Sequence, residues 1–176
     1  MRADARRNYD AVLAAAKELF AQRGVDVPLD EVAKRAGVGN ATMYRHFPTR
    51  RDMMVAVYQE EVVELCDRGR ELLGDPSPVD ALFVWLGEFV AHVATKRCLA
   101  MAAVDDAQRS PLAARWHESM IDTASQLMAR AEGGLRPGLD VADLLALAKG
   151  IALSDTPEAR IPVLLDLARS GAVRTS

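Results

Sequence analysis

Apolar residues recur at spacings of three and four along most of the chain, the period of an amphipathic helix. Alanine and leucine are common and strand-forming residues are sparse, so we expect an all-α protein. The first helix is predicted at about residues 5–23, where Gly24 ends it. Its apolar face would consist of Val12, Leu13, Ala16, Leu19 and Phe20.

Residues 29–51 predict two short helices joined by a tight turn and followed by the start of a third helix. Apolar residues at helical spacing mark one face of the first short helix. Gly37 lies where that helix has to stop, because glycine adopts the left-handed conformation without steric cost. The buried face of this helix is predicted to comprise Leu29, Val32 and Ala33.

The second short helix follows Gly37, and Asn40 is predicted to cap it. Met43 and Phe47 would lie on its buried side. The remaining side chains would point outward, which is the layout of a helix-turn-helix motif whose second helix enters the DNA major groove. The outward set comprises Thr42, Tyr44, Arg45 and His46.

Helical spacing predicts six more helices beyond this motif. Thr49 can cap the first of them, which runs to about Leu72, and residues 74–78 form the clearest break in the chain. The next three are predicted at residues 79–95, 99–107 and 110–132. The last two are predicted at residues 141–153 and from a cap at Thr156 and Pro157 onward.

We place a domain boundary inside the long helix that follows Thr49. Residues 1–54 would form a three-helix, helix-turn-helix DNA-binding domain, and residues 55–176 a helical ligand-binding and dimerisation domain. The broad apolar faces of the last two helices suit a four-helix dimer interface, although they could also close the core of one subunit.

The net charge of −3 is unevenly distributed. Residues 1–52 contain ten basic and seven acidic side chains, whereas acidic side chains predominate in the remainder. A basic N-terminal part followed by an acidic remainder is typical of a protein that contacts DNA with one end.

The two cysteines, Cys66 and Cys98, are too few for a disulfide framework. They are interpreted as reduced core thiols, with a redox pair as the alternative. No apolar run approaches the length of a membrane span, and the N-terminus lacks a signal-peptide core. We therefore expect a cytoplasmic protein with no membrane partner.

With these motifs in view, the chain resembles the TetR family of bacterial transcription regulators, of the TetR/AcrR type. The resemblance is carried by AAKELFAQRG at residues 15–24 and by the pattern G-V-x-x-x-T-x-Y-x-H-F at residues 37–47. The family-specific match covers about the first third of the chain. Residues 89–100 and 134–153 are similar to a C-terminal domain of one branch of the family.

The resemblance implies that the second short helix contacts DNA and that a basic residue after it meets phosphate. Arg45 could pair with guanine and Asn40 with adenine, whereas hydroxyls suit phosphate oxygens. His46 either contacts DNA or has a structural role, and both interpretations stay open. The implied contacts are Asn40, Ala41, Thr42, Tyr44, Arg45, His46 and Arg50.

One position departs from the family pattern. Many members carry Thr or Ser where this chain has Leu29 and Asp30, and an aspartate would repel phosphate. This segment is therefore left out of the predicted contacts. Much of the attraction to the DNA backbone would then come from Arg6, Arg7, Arg50 and Arg51, although Arg6 and Arg7 could equally be a solvated helix start.

Two predicted helices within residues 55–176 each carry a tryptophan, a second large apolar residue and a polar residue on one face, at the same spacing. They predict either a mostly apolar effector pocket or ordinary core packing. Met101, from the short helix at residues 99–107, could join them. The two faces are formed by Trp85, Phe89 and His92, and by Trp116, Met120 and Thr123.

The sequence favours a homodimeric, ligand-responsive repressor that binds a pseudo-palindromic double-stranded DNA operator. The alternative is a helical small-molecule-binding protein that has lost DNA binding. No metal-ligand cluster, nucleotide-binding loop or hydrolase motif occurs, so we expect no cofactor, no metal and no enzyme activity.

Overall fold

The computed structural model describes residues 2–103 and 111–174. These residues form eight α-helices and no β-strand, which confirms the predicted all-α fold. The helices are α1 (Arg2–Arg23), α2 (Leu29–Ala36), α3 (Asn40–His46), α4 (Arg50–Leu72), α5 (Pro78–Ala103), α6 (Pro111–Ala131), α7 (Val141–Leu153) and α8 (Ile161–Ala172).

The described chain divides into two compact units. The first unit contains residues 2–60 and 98–103, and the second contains residues 61–97 and 111–174. The helix α4 belongs to both units, and the predicted domain boundary at residues 54–55 lies within it. That boundary stays a prediction.

Two local signals of the helix-turn-helix region are confirmed. Gly37 has φ 69°, and the N–H groups of Gly37 and Val38 donate to Lys34 and Ala33, which is the hydrogen-bond pattern of a Schellman motif. At the start of α4, the Thr49 hydroxyl accepts from the Asp52 N–H at 3.1 Å, and the Asp52 carboxylate accepts from the Thr49 N–H at 3.0 Å. These reciprocal bonds form a capping box.

The predicted cap at Asn40 is wrong. The residue before the helix is Gly39, in an extended conformation, and it makes no side-chain capping bond. Asn40 is instead the first residue of α3, and its side chain is exposed. A glycine is a tolerated N-cap because it imposes no steric restriction there, and this start of the helix places the Asn40 amide at the surface.

Two other predicted helix boundaries also differ. Two separate helices are predicted at residues 79–95 and 99–107, but the structure has a single helix, α5, which continues to Ala103. No proline or glycine interrupts residues 95–99. Residues 104–107 lie outside the described part. At the other end of the chain, Thr156 does not cap α8, since a 3-10 turn at Glu158–Arg160 precedes it and Pro157 makes no capping bond.

The core of the first unit lies where α1, α2 and α3 pack together. Val12, Val32 and Met43 contribute one fully buried side chain from each helix. Two exposed ion pairs connect α1 to α2: Arg35 Nε donates to Glu18 at 3.1 Å, and Arg23 bonds to Glu31. The hydrogen bond from each arginine lowers the pKa of its partner carboxyl below the ordinary value.

The second unit depends on a close approach of helices at Gly69 of α4. A Cβ atom at this position would lie 2.1 Å from Thr123 Cγ2 on α6 and 3.0 Å from Trp85 Nε1 on α5. Trp85 is fully buried, and its indole N–H donates to the Leu65 carbonyl at 2.9 Å. Phe89 stacks on Trp85 with ring centroids 5.5 Å apart.

Cys66 is a buried free thiol, whereas the Cys98 side chain lies outside the described side chains. Within the described residues, no helix combines the length and the apolar character that crossing a membrane requires. The same residues contain no group of three or more His, Cys, Asp or Glu side chains arranged to hold a metal ion.

Replacing Gly69 by alanine is expected to destabilise the protein. The gain in helix propensity, about 0.5–1 kcal/mol, is outweighed by an overpacking cost of roughly 1–3 kcal/mol. The clash with Thr123 cannot relax freely, because its hydroxyl is bonded to the Ser119 carbonyl at 2.9 Å. Urea unfolding of G69A measures the change.

A second substitution tests the cause. The double variant G69A/T123S removes the clashing methyl group and should recover much of the lost stability. Gly87→Ala is the control, since its Cβ would meet Leu165 at an ordinary 3.5 Å. A G69A protein as stable as G87A would contradict the packing assignment.

The stability of the first unit should fall in acid through the pair of Glu18 with Arg35. The carboxyl has a lower pKa in the folded state than in the unfolded chain, so its contribution is present above the ordinary value of 4.5 and is lost as the pH falls below it. Thermal unfolding between about pH 6 and pH 3 should therefore show a smaller decrease for Glu18→Gln than for the wild type. Because the pair is exposed, the difference will be small, and equal slopes would contradict the assignment.

Candidate DNA-binding surface

The helix α3 has a buried side and an exposed side. Met43 is 0% exposed and Phe47, which follows the helix, is 2% exposed. The exposed residues on the other side recur one, four and five positions apart, which places them in one stripe along the helix. We call this the recognition stripe; it consists of Asn40, Ala41, Tyr44 and Arg45.

The two other predicted contacts on α3, Thr42 and His46, are half-buried. The His46 ring meets the Tyr9 ring of α1 edge-on, with centroids 5.8 Å apart, and Tyr9 stacks on Phe47 at 5.0 Å. His46 therefore takes part in an aromatic cluster, in line with the structural interpretation. Tyr9 was missed by the sequence analysis, although it lies three residues before Val12, at helical spacing from the buried face of α1.

Tyr44 is 44% exposed, and its hydroxyl donates to the carboxylate of Asp30 in the first turn of α2. The O–O distance of 3.3 Å is longer than that of an ordinary hydroxyl hydrogen bond. The sequence indicated only that Asp30 would repel phosphate. The structure adds that Asp30 contacts a member of the recognition stripe.

Arg50 is half-buried at the start of α4, and its guanidinium donates to the backbone carbonyls of Val25 and Val27. The bond to Val27 is 2.7 Å long. Arg50 thereby holds the connection between α1 and α2, a role that sequence spacing could not reveal. The predicted contact of Arg50 with phosphate stays a prediction.

The arginines of the first unit differ in their partners. Arg6 forms an ion pair with Asp10 at 3.0 Å, and Arg7 forms one with Asp4, so both charges are offset along α1. Arg45 and Arg51 are exposed and make no ion pair with a described residue. These two are the arginines best placed to attract an anionic ligand.

Six of the seven predicted pocket residues belong to the second unit and lie mainly in its core, whereas Met101 belongs to the first unit. Trp85, Phe89 and Met120 are buried, and the structure brings Trp85 into contact with Phe89 and, at Gly69, close to Thr123. His92 is also buried, with Nδ1 3.7 Å from Glu61 Oε2. Trp116 is half-buried, and the Met101 side chain lies outside the described side chains.

Two clefts of the second unit have other linings. A groove of about 460 Å³ lies along α7 and α8, and an open cleft of about 830 Å³ lies beside the start of α5 and the end of α8. Neither is lined by the predicted pocket residues. The effector pocket therefore stays a prediction.

Comparison with known proteins identifies the family. The N-terminal domain of bacterial regulatory proteins of the tetR family matches residues 12–57, and the C-terminal domain of SbtR-like transcriptional regulators matches residues 77–174. An HTH-type transcriptional regulator of Staphylococcus aureus is 35% identical over 63 residues, a match that covers 35% of this chain and only 34% of that regulator.

Two solved structures match nearly the whole chain. The TetR transcriptional regulator SCO0520 from Streptomyces coelicolor is 35% identical with a TM-score of 0.76, and the match covers 96% of this chain and 99% of that one. A TetR regulatory protein from Mycobacterium vanbaalenii is 34% identical with a TM-score of 0.77, covering 98% and 99%. The helix-turn-helix geometry and these matches together show that the chain belongs to the TetR family of bacterial transcriptional regulators.

Proposed function

We propose that this regulator binds a pseudo-palindromic DNA operator as a homodimer and represses transcription until a small-molecule effector binds its second unit. The observation that carries the proposal is the recognition stripe on α3, which presents polar and basic side chains opposite the buried Met43 and Phe47. A helix in this position of a helix-turn-helix motif can enter the major groove of DNA.

The chemistry of the stripe suits base and backbone contacts. Arg45 can donate two hydrogen bonds to guanine, and the exposed Asn40 amide can pair with adenine. The hydroxyls of Thr42 and Tyr44 suit phosphate oxygens, which position a protein without reading sequence. Ala41 allows close approach to the bases, and His46, held against Tyr9, borders the same surface.

The surface of α7 and α8 supports dimerisation. Four large apolar side chains on these helices are between 41% and 63% exposed, and two of them, Leu147 and Leu167, line the mostly apolar groove. Such a patch marks an interaction surface, and a second copy would supply the second half-site reader that a pseudo-palindromic operator needs. The four side chains are Leu147, Leu153, Val163 and Leu167.

The effector is proposed to bind among the aromatic and polar side chains around Trp85, Phe89 and His92. Binding of the effector would lower the affinity for the operator, and the operator would lower the affinity for the effector by the same factor. The corresponding coupling free energy is typically about 1–3 kcal/mol. This site requires the second unit to open around a core that is closely packed at Gly69.

Selection of bound duplexes from random DNA should recover two related half-sites about 34 Å, or one helical turn, apart. On the selected duplex, Arg45→Ala should lose about 1–3 kcal/mol of preference at one base pair of each half-site. Fluorescence anisotropy with single-base variants of the duplex measures this preference.

The exposed Arg51 provides the matched control. Arg51→Ala should weaken binding to all duplexes alike and flatten the dependence on salt, because it removes a charge without removing base readout. Wild-type base preference in Arg45→Ala would show that the recognition surface is misassigned. A wild-type chain that binds no duplex at low salt would instead favour the helical binding protein without DNA function.

Arg50→Ala should lower both stability and DNA affinity, since it removes the bonds to the carbonyls of Val25 and Val27. Hydrogen bonds from a charged donor contribute roughly 1.5–3 kcal/mol, so a loss of about 2 kcal/mol in the free energy of unfolding is expected. Urea unfolding separates this variant from Arg51→Ala, which should unfold like the wild type. If Arg50→Ala is as stable as the wild type, the bonds to Val25 and Val27 do not stabilise the fold, and phosphate binding is the role that remains for Arg50.

A further inference from the structure

Asp30 is the anomalous charge of the proposed DNA-binding surface. It lies in the first turn of α2, is exposed, and touches Tyr44 of the recognition stripe. A carboxylate in this place faces the polyanion that the stripe is proposed to bind. Repulsion between this carboxylate and a DNA phosphate would oppose binding.

Two carboxylates that connect α1 to α2 are neutralised by arginines, whereas Asp30 is not paired in this way. Glu18 and Glu31 form ion pairs with Arg35 and Arg23, and Asp52 caps α4 through Thr49. Asp30 makes no ion pair with any residue that the structure describes, and its one described hydrogen bond comes from the neutral phenol of Tyr44. No cationic side chain that the structure describes is therefore paired with this carboxylate beside α3.

The contact with Tyr44 is suited to exchange. Its length of 3.3 Å exceeds the ordinary range for a hydroxyl donor, so the bond is weaker than a well-formed bond to an anion. The phenol is 44% exposed and can rotate toward solvent. A DNA phosphate at normal hydrogen-bond distance would offer the hydroxyl a better acceptor of the same charge.

From these observations we infer that Asp30 imitates a backbone phosphate: it holds the Tyr44 hydroxyl in the free protein and competes with DNA for it. The inference rests on the proposed DNA-binding function and adds a device that regulates it. Asp30 lowers the affinity for all duplexes alike, because it opposes phosphate and not a particular base. Sequence preference, which depends on base contacts, stays unchanged.

The test uses a random-sequence duplex and the full-length protein. Asp30→Asn keeps the shape and a carbonyl acceptor for Tyr44 but removes the charge, so affinity should rise about three- to tenfold at low salt. The slope of log affinity against log salt should steepen by up to about 0.9, the effect of one more neutralised phosphate. The gain would then shrink about threefold between 50 and 200 mM salt.

Glu60→Gln is the matched control. It makes the same change in net charge in the same unit, but it lies ten residues along α4 from Arg50, about 15 Å away. It should bind like the wild type. An Asp30→Asn protein that matches Glu60→Gln, or binds more weakly than the wild type, would overturn the inference.

Tyr44→Phe distinguishes competition for the hydroxyl from simple repulsion. If the Asp30 carboxylate and a DNA phosphate compete for the hydroxyl, Asp30→Asn should raise the DNA affinity less in the Tyr44→Phe background than in the wild type. Equal increases in both backgrounds would show that Asp30 acts only as a repulsive charge and would overturn the inference. Thermal unfolding of each variant checks that it is folded, with Asp30→Ala as the substitute if Asp30→Asn is not. Failure of the wild type to bind any duplex would reject the proposed function itself, which is a different outcome.

Discussion

The burial of Met43 and Phe47 is the constraint on which the proposed DNA-binding surface depends. The helix α3 has only seven residues, too few to be stable alone, so its tertiary contacts hold it in place. Burying side chains of this size contributes about 1.5–3 kcal/mol each. Because the buried side is fixed, the rotation of α3 is fixed as well, and the opposite side has to face solvent. Tyr9 extends the same constraint by stacking on Phe47 and meeting His46, so the last turn of the helix is held by aromatic contacts.

The charged residues around this anchored helix divide into two groups. Arg23 and Arg35 bond to carboxylates between α1 and α2, and Arg50 bonds to backbone carbonyls of the connecting segment. These side chains maintain the relation between helices. Arg45 and Arg51 remain exposed to solvent and give the surface its positive charge. A count of basic residues along the sequence therefore overstates the charge available to DNA, since Arg6, Arg7, Arg23 and Arg35 are paired with carboxylates of the same unit.

The second unit is governed by a different constraint, the close approach of three helices at Gly69. Only glycine allows Thr123 and Trp85 to come this near to α4, and the indole bond to Leu65 fixes the tryptophan there. The same packing explains why the aromatic residues at helical spacing form core contacts. Among the described residues of this unit, four exposed large apolar side chains lie on α7 and α8, and Val63 and Val84 are exposed on α4 and α5. The apolar face that contains Trp85 and Phe89 is therefore core, whereas an interface on α7 and α8 stays a prediction.

Local signals in the sequence determined the helical class, the turn at Gly37 and the capping box of Thr49, because helix periodicity and capping act over only a few residues. The family pattern likewise located the helix α3 from contiguous residues. Tertiary structure alone decided which side chains meet across longer separations. Tyr44 meets Asp30 over 14 residues, and Arg50 meets Val25 over 25. Such pairs depend on how the helices pack, and the local periodicity of the sequence does not contain that information. From the sequence, Asp30 appeared only to repel DNA and Arg50 appeared to be a phosphate ligand, whereas the structure shows that both have partners inside the protein.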